Sequence, residues 1–151
     1  MTIDALKNMI SQQLPDLKME ESCDFPVLFV PSEELIDVAC LLIFQKDMYF
    51  DMLACETAVD RQTHFEMVYH LTSTKFRHDL VLKVMVENRN EPKVASVAKL
   101  WKSAELFECE IFDLFGIWFS NHPNLRRLFM PDDWEGYPLR KDYDPNKVTI
   151  G

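Results

Sequence analysis

Apolar and polar residues along this chain follow two different periods, and the switches between them mark its elements. Between Ile3 and Leu14 the residues Leu6, Ile10 and Leu14 share one helical face with Met9 beside them. Thr2 is placed to cap this helix and Pro15 to stop it. Pro26 to Val30 is a short apolar run of the kind that forms a buried strand. A second helix follows, with Ser32 as its expected N-cap, Glu33 and Glu34 at its positive end, and an apolar stripe of Leu35, Val38, Ala39, Leu42 and Ile43.

Period two then takes over. The stretch from Tyr49 to Thr57 alternates only roughly. The next is regular, with Phe65, Met67, Tyr69 and Leu71 on one side and His64, Glu66 and His70 on the other. The third sends Leu80, Leu82, Val84 and Val86 inward and Lys83 and Glu87 outward. One polar and one apolar face describe a sheet that is wetted on one side and covered on the other. The short links at Asp60–Gln62 and Ser73–Arg77 favour an antiparallel meander. After Pro92 the period turns helical again, through Leu100, Ala104, Phe107, Ile111, Leu114 and Phe115, and Gly116 is a natural stop. Ile117 to Phe119 reads as a brief strand. The pattern predicts an α+β body over residues 1–119, a mainly antiparallel sheet of about four strands with helices on one face. Residues 120–151 lack a steady period and read as an extended C-terminal arm.

That arm carries Phe129, Trp134, Tyr137 and Tyr143 among Arg126, Arg127, Arg140 and Lys141. Trp, Tyr and Arg dominate binding energy at buried interfaces. Two readings stand: the arm folds back on its own domain, or it docks on another protein. Adjacent Arg126 and Arg127 would point to opposite sides of an extended segment, one inward and one outward.

Charge narrows the classes of partner. The chain is 48% hydrophobic and carries a net charge of −9, all of it in residues 1–119, while residues 120–151 hold five cations and five anions. An acidic body argues against nucleic acid and against direct docking on anionic lipid. No apolar run approaches the roughly 20 residues of a membrane span, and the N-terminal stretch with Asp4 and Lys7 lacks a signal-peptide core. Cys23, Cys40, Cys55 and Cys109 have no metal-motif spacing and read as free thiols. Three glycines, at 116, 136 and 151, cannot build a phosphate-cradling loop, and His64 and His70 read as surface residues. The densest acidic set, Glu105, Glu108, Glu110 and Asp113, reads either as a solvated helix face or as a receptor for guanidinium groups, those of Arg126 and Arg127 or a partner's. A metal or hydrolytic centre built from these carboxylates with His122 is the rival enzymatic reading.

The run WKSAELFECEIFDLFGI from Trp101 to Ile117, then HPNLRRL from His122 to Leu128 and PDDWEGYPLRKDY from Pro131 to Tyr143, strongly resembles the 30-kDa subunit of respiratory complex I. This is the C subunit of the proton-pumping NADH:quinone oxidoreductase. Thr57 to Asp60 closing one strand and Val68-Tyr69 in the next are similar to that family as well. The chain departs from it at Cys109, where an arginine is usual, and at Phe107, where tryptophan is common. The resemblance implies a subunit with no catalytic site, cofactor or metal of its own, supporting electron transfer from NADH to quinone. Iron–sulfur clusters and flavin are expected in other subunits of the complex. It implies a place on the cytoplasmic face of the inner membrane (the matrix side in mitochondria), against a hydrogenase-like large subunit and an iron–sulfur small subunit. Glu108, Glu110, Asp113, His122, Arg126, Arg127, Trp134, Tyr137, Arg140 and Lys141 are the expected contacts. Equivalent subunits of membrane-bound hydrogenases and deazaflavin-type dehydrogenases fit the same resemblance.

Overall fold

A computed structural model describes residues 3–21 and 25–144. The expected cap Thr2, Cys23 and the end of the arm lie outside the described residues. Helix α1 spans Ile3–Gln13. Strands β1 (Met19–Glu21) and β2 (Pro26–Val30) follow, then a 3-10 turn at Ser32–Glu34 and helix α2 (Leu35–Phe44). Strands β3 (Met52–Asp60), β4 (Phe65–Ser73) and β5 (His78–Val86) form the meander. Strand β6 (Lys93–Ala95), helix α3 (Ala104–Phe115) and strand β7 (Trp118–Ser120) complete the order.

The main sheet has five strands in the order β1-β2-β5-β4-β3, antiparallel throughout except for the parallel β2–β5 pair. This is the expected α+β class, with one more strand than the sequence pattern counts. Strand β1 is Met-Glu-Glu and has no apolar signature; it exists because β2 offers it an edge. Strands β6 and β7 form a second, parallel two-stranded ladder bridged by α3.

The inward faces of β3–β5 and the apolar stripes of all three helices share one core. Leu6, Ile10, Leu35, Leu42, Phe65, Met67, Tyr69, Leu71, Leu80, Leu82 and Ile111 are buried in it. The regular alternation of β4 and β5 is realised as read, because each second residue faces that core.

Three local expectations are corrected. Ser32 does not cap α2: its hydroxyl donates to Glu33 Oε2 at 3.2 Å, and the helix is entered through the 3-10 turn, where Glu34 N–H donates to Pro31 O. Helix α3 starts at Ala104, not near Leu100. Residues 97–103 run as turns held by Trp101, whose indole N–H donates to Phe50 O, and by Ser103, whose hydroxyl donates to Leu53 O. The irregularity of β3 is a bulge between Leu53 and Cys55, which leaves Ala54 without a partner on β4. Before the bulge Leu53 points inward; after it the inward positions become Glu56, Ala58 and Asp60. Two carboxylates thereby enter the side of the sheet that α3 covers.

Candidate functional site

Asp60, Arg89, Glu108, Asp113, Arg127 and Arg140 lie where α3 meets β3 and the segment that follows β7. Helix α3 buries Ala104, Glu108, Cys109, Ile111, Asp113 and Phe115. The reading of the acidic set as a solvated face is therefore wrong for Glu108 and Asp113, both fully buried, while Glu110 stays exposed.

Asp113 lies in the last turn of α3, where the helix dipole disfavours an anion. Its neighbours offset this. One carboxylate oxygen accepts Arg127 Nη1 at 3.3 Å. The other accepts three successive backbone N–H groups, from Leu128 at 3.1 Å, Phe129 at 2.6 Å and Met130 at 3.1 Å. Successive N–H groups turned to one point form an anion-binding nest, here filled by the chain's own helix.

The same segment caps the helix. The last carbonyls of a helix have no partner within it. Here Phe112 O accepts Gly116 N–H at 2.9 Å, Asp113 O accepts Arg127 Nη1 at 3.5 Å, Leu114 O accepts Leu139 N–H at 3.0 Å and Phe115 O accepts Arg140 Nε at 2.6 Å. Gly116 has φ +75°, and a methyl group there would stand 2.5 Å from the Tyr137 ring. Only glycine satisfies both the left-handed turn and the ring lying on it. Tyr137 is in turn covered by the guanidinium groups of Arg127 at 4.9 Å and Arg140 at 5.1 Å. Arg140 continues the stack onto Phe65, which Arg89 covers from 4.9 Å.

Asp60 is the second anchor. It takes a bidentate pair from Arg89 and accepts Lys141 N–H at 2.7 Å and Gln62 N–H at 2.8 Å. The Arg89 hydrogen bonds, with those from Lys141 and Gln62, hold its carboxyl far below the usual carboxylate range against the opposing effect of burial. Arg89 also reaches Asp142 at 3.4 Å.

His122 belongs to the turn after β7. Its Nε2–H donates to Glu105 O at 2.9 Å, and its Nδ1 accepts Asn124 N–H at 2.9 Å. Cys109, where the family's arginine is expected, gives its thiol hydrogen to Asn124 O at 3.3 Å, with Arg126 Nη1 4.0 Å from the sulfur. Of the two arginines, Arg127 turns inward and Arg126 stays exposed. Trp134 is half-buried in a turn closed by its N–H to Pro131 O. Exposed apolar side chains flank the assembly: Leu106, Trp118, Phe129 and Leu139, each more than half exposed.

The structure thus gathers most of the sequence-selected residues at one place. The pattern missed their counterparts. Asp60 and Arg89 are separated by 29 residues, and Glu56 is aimed inward by the bulge. Among the described residues no three His, Cys, Asp or Glu side chains converge as metal ligands. Glu108, Asp113 and His122 bond to protein groups.

These features define an α+β chain whose final helix is closed by its own tail. The chain belongs to the family described as the respiratory-chain NADH dehydrogenase 30 Kd subunit, whose model matches residues 28–149, as the Trp101–Tyr143 motifs imply. It is 40% identical over 136 residues to the NADH-quinone oxidoreductase C subunit of Moorella thermoacetica, covering 89% of this chain and 90% of that one. It is 47% identical to the C subunit of Roseiflexus castenholzii over 75% of this chain and 66% of that one. A C/D subunit of Phocaeicola vulgatus is 41% identical over 76% of this chain, which spans 22% of that longer protein. The same fold occurs, at a TM-score of 0.80 and 22% identity over 94% of this chain and 85% of that one, in the membrane-bound sulfane sulfur reductase, an archaeal respiratory membrane complex.

Proposed function

We propose that this chain is a peripheral, non-catalytic subunit of an ion-pumping NADH- or related donor:quinone oxidoreductase. In this reading it holds a hydrogenase-like large subunit and an iron–sulfur small subunit in register, and the clusters and flavin reside in other chains. It sits at the membrane surface on the cytoplasmic side. The observation that carries the proposal is the family motif itself. Its inward-facing members, Asp113, Arg127 and Gly116, build a fixed tail seat. Around that seat the exposed Arg126, Glu110, Lys141, Leu106, Trp118, Phe129 and Leu139 present a mixed aromatic, aliphatic and cationic surface. Interface cores are enriched in such aromatic and arginine groups. The relative named as a C/D subunit, of which this chain spans 22%, supports a large-subunit neighbour. No helix among the described residues is long and apolar enough to cross a membrane, so attachment would run through other subunits.

The test is to tag the chain in its native host, solubilise membranes gently and identify what co-purifies by mass spectrometry. Recovery with a hydrogenase-like large subunit, iron–sulfur subunits and membrane subunits is expected, and an NADH-oxidising module among them would name the donor. Recovery of the chain alone would refute the reading.

A further inference from the structure

Beneath the tail seat lies a group of polar atoms that the subunit reading does not use. Glu56 enters the core because of the β3 bulge, directly opposite Tyr69 on β4. Both residues are buried, and neither oxygen of Glu56 nor the hydroxyl of Tyr69 has a satisfying hydrogen-bond partner among the described residues. Unpartnered buried oxygens are rare, because each forfeits its hydration with no replacement. Above them Glu108 descends from α3.

The two glutamates are bonded differently. Glu108 Oε1 accepts Ser96 Oγ–H at 2.5 Å, and Oε2 accepts Val97 N–H at 3.1 Å. Donors aimed at both oxygens mark it as the carboxylate. Glu56 receives no such donor from the described residues. Glu108 is near enough for its charge to act on Glu56, while both Glu56 oxygens remain without a hydrogen-bond partner among the described residues.

Among the described residues no cation compensates the pair. His122 Nε2 is 4.0 Å from Glu108 Oε1, but its hydrogen goes to Glu105 O and its other nitrogen accepts Asn124 N–H. The remaining titratable neighbours are Tyr69 from β4, Cys55 from β3 and Cys109 from α3, none of which supplies positive charge. Arg126 reaches only Cys109 and Asn124, and Arg127 is bound to Asp113. Two ionised carboxylates in this dry space would repel with little screening.

We propose that Glu56 and Glu108 form a buried proton-binding site in which Glu56 carries the proton as a neutral acid and donates toward the Glu108 carboxylate, fastening α3 to β3. Burial, and then the Glu108 charge, push the Glu56 carboxyl well above the usual carboxylate range. Burial pushes Glu108 up as well, against the hydrogen bonds from Ser96 and Val97. The pair titrates as a unit rather than as two independent groups. Loss of the shared proton leaves two like charges at the joint that carries the tail seat, so the site makes the α3–β3 contact sensitive to alkali. The folded chain keeps a proton that the unfolded chain releases at the ordinary carboxylate value. Stability is therefore greatest below that value and declines as pH rises toward the folded value.

The experiment uses the full chain alone and so stands or falls separately from the subunit reading. Infrared spectra at neutral pH are expected to show the carbonyl stretch of an un-ionised carboxylic acid that shifts with carbon-13 glutamate and disappears in Glu56→Gln. Above the ordinary carboxylate range the unfolding constant of the wild type is expected to rise by up to about tenfold per pH unit, the limit for one proton. In Glu56→Gln, which holds a neutral group at every pH, that rise is lost. Absence of the neutral-acid band from the wild type overturns the proposal, as does an unchanged pH slope in the variant. If Glu56→Gln does not fold, the band in labelled wild type and its loss on alkaline titration decide alone.

Discussion

Replacing Asp113 by asparagine tests whether the tail is seated by one side chain. The carboxylate meets four donors, Arg127 and the N–H groups of Leu128, Phe129 and Met130, and is fully buried. The amide keeps the shape but turns one acceptor into a donor. That donor must face either the guanidinium or the three N–H groups, and the charge that draws all four is gone. Hydrogen bonds to a charged group contribute about 1.5–3 kcal/mol each, and breaking a buried pair by removing one partner costs about 3–5 kcal/mol. Arg127 is nearly as enclosed, with its side chain 11% exposed, so solvent offers little compensation. The expected loss is about 3–5 kcal/mol, which at a urea dependence of about 2 kcal/mol per M lowers the midpoint by about 2 M. If the tail detaches before the body unfolds, the loss appears instead as faster trypsin cleavage after Arg126 and Arg127. An Asp113→Asn chain within about 0.5 kcal/mol of wild type, cleaved no faster, would refute the reasoning.

Three further outcomes follow from the same seat. Gly116→Ala adds a left-handed strain of about 1–2 kcal/mol and drives Tyr137 off its two arginines, each worth about 0.5–1 kcal/mol; thermal unfolding should show a total loss of about 2–4 kcal/mol. Asp60 binds its proton at lower pH in the folded chain than in the unfolded one, so its contribution is complete above about pH 4 and is lost as pH falls; Asp60→Asn should flatten the acid limb of stability against pH. Arg126→Ala combined with Trp134→Ala should reduce recovery of partner subunits in a pull-down more than it lowers the melting temperature, and the reverse order would place both residues in the chain's own fold.

The legible part of this chain is its periodicity. β4 and β5 show their buried faces in sequence because every second residue is apolar and no irregularity intervenes. Helix α3 is legible as a helix but not as a site. Ala104, Glu108, Ile111 and Phe115 are spaced four, three and four apart on one face, so Glu108 belongs to the apolar stripe by its spacing. Grouping the acids with one another conceals that. Asp113 is harder to read, because three of its four partners are backbone N–H groups, which leave no trace in residue identity. Glu56 and Asp60 are unreadable without the bulge, since uninterrupted alternation from Leu53 would send Cys55, Thr57 and Val59 inward instead. Strands β1 and β6 escape because three residues paired at an edge carry no period.

The bulge at Ala54 has an engineering consequence. Deleting that one residue would restore an unbroken ladder and leave Glu56, Ala58 and Asp60 inward, because Leu53 and Cys55 already pair with consecutive residues of β4. The damaging change is a one-residue slip that takes Ala54 into the ladder and reverses every face after it. That slip sends an apolar or neutral row, Cys55, Thr57 and Val59, into the core, and by the usual criteria of strand design it is the better-formed sheet. It also turns Asp60 outward, away from Lys141 and Arg89, and withdraws Glu56 from beneath α3. A stabilisation screen scored on melting temperature alone would favour variants in that slipped phase while discarding the one that lets the sheet hold the tail. For this chain, selection for stability should therefore be paired with a readout of the tail's protection.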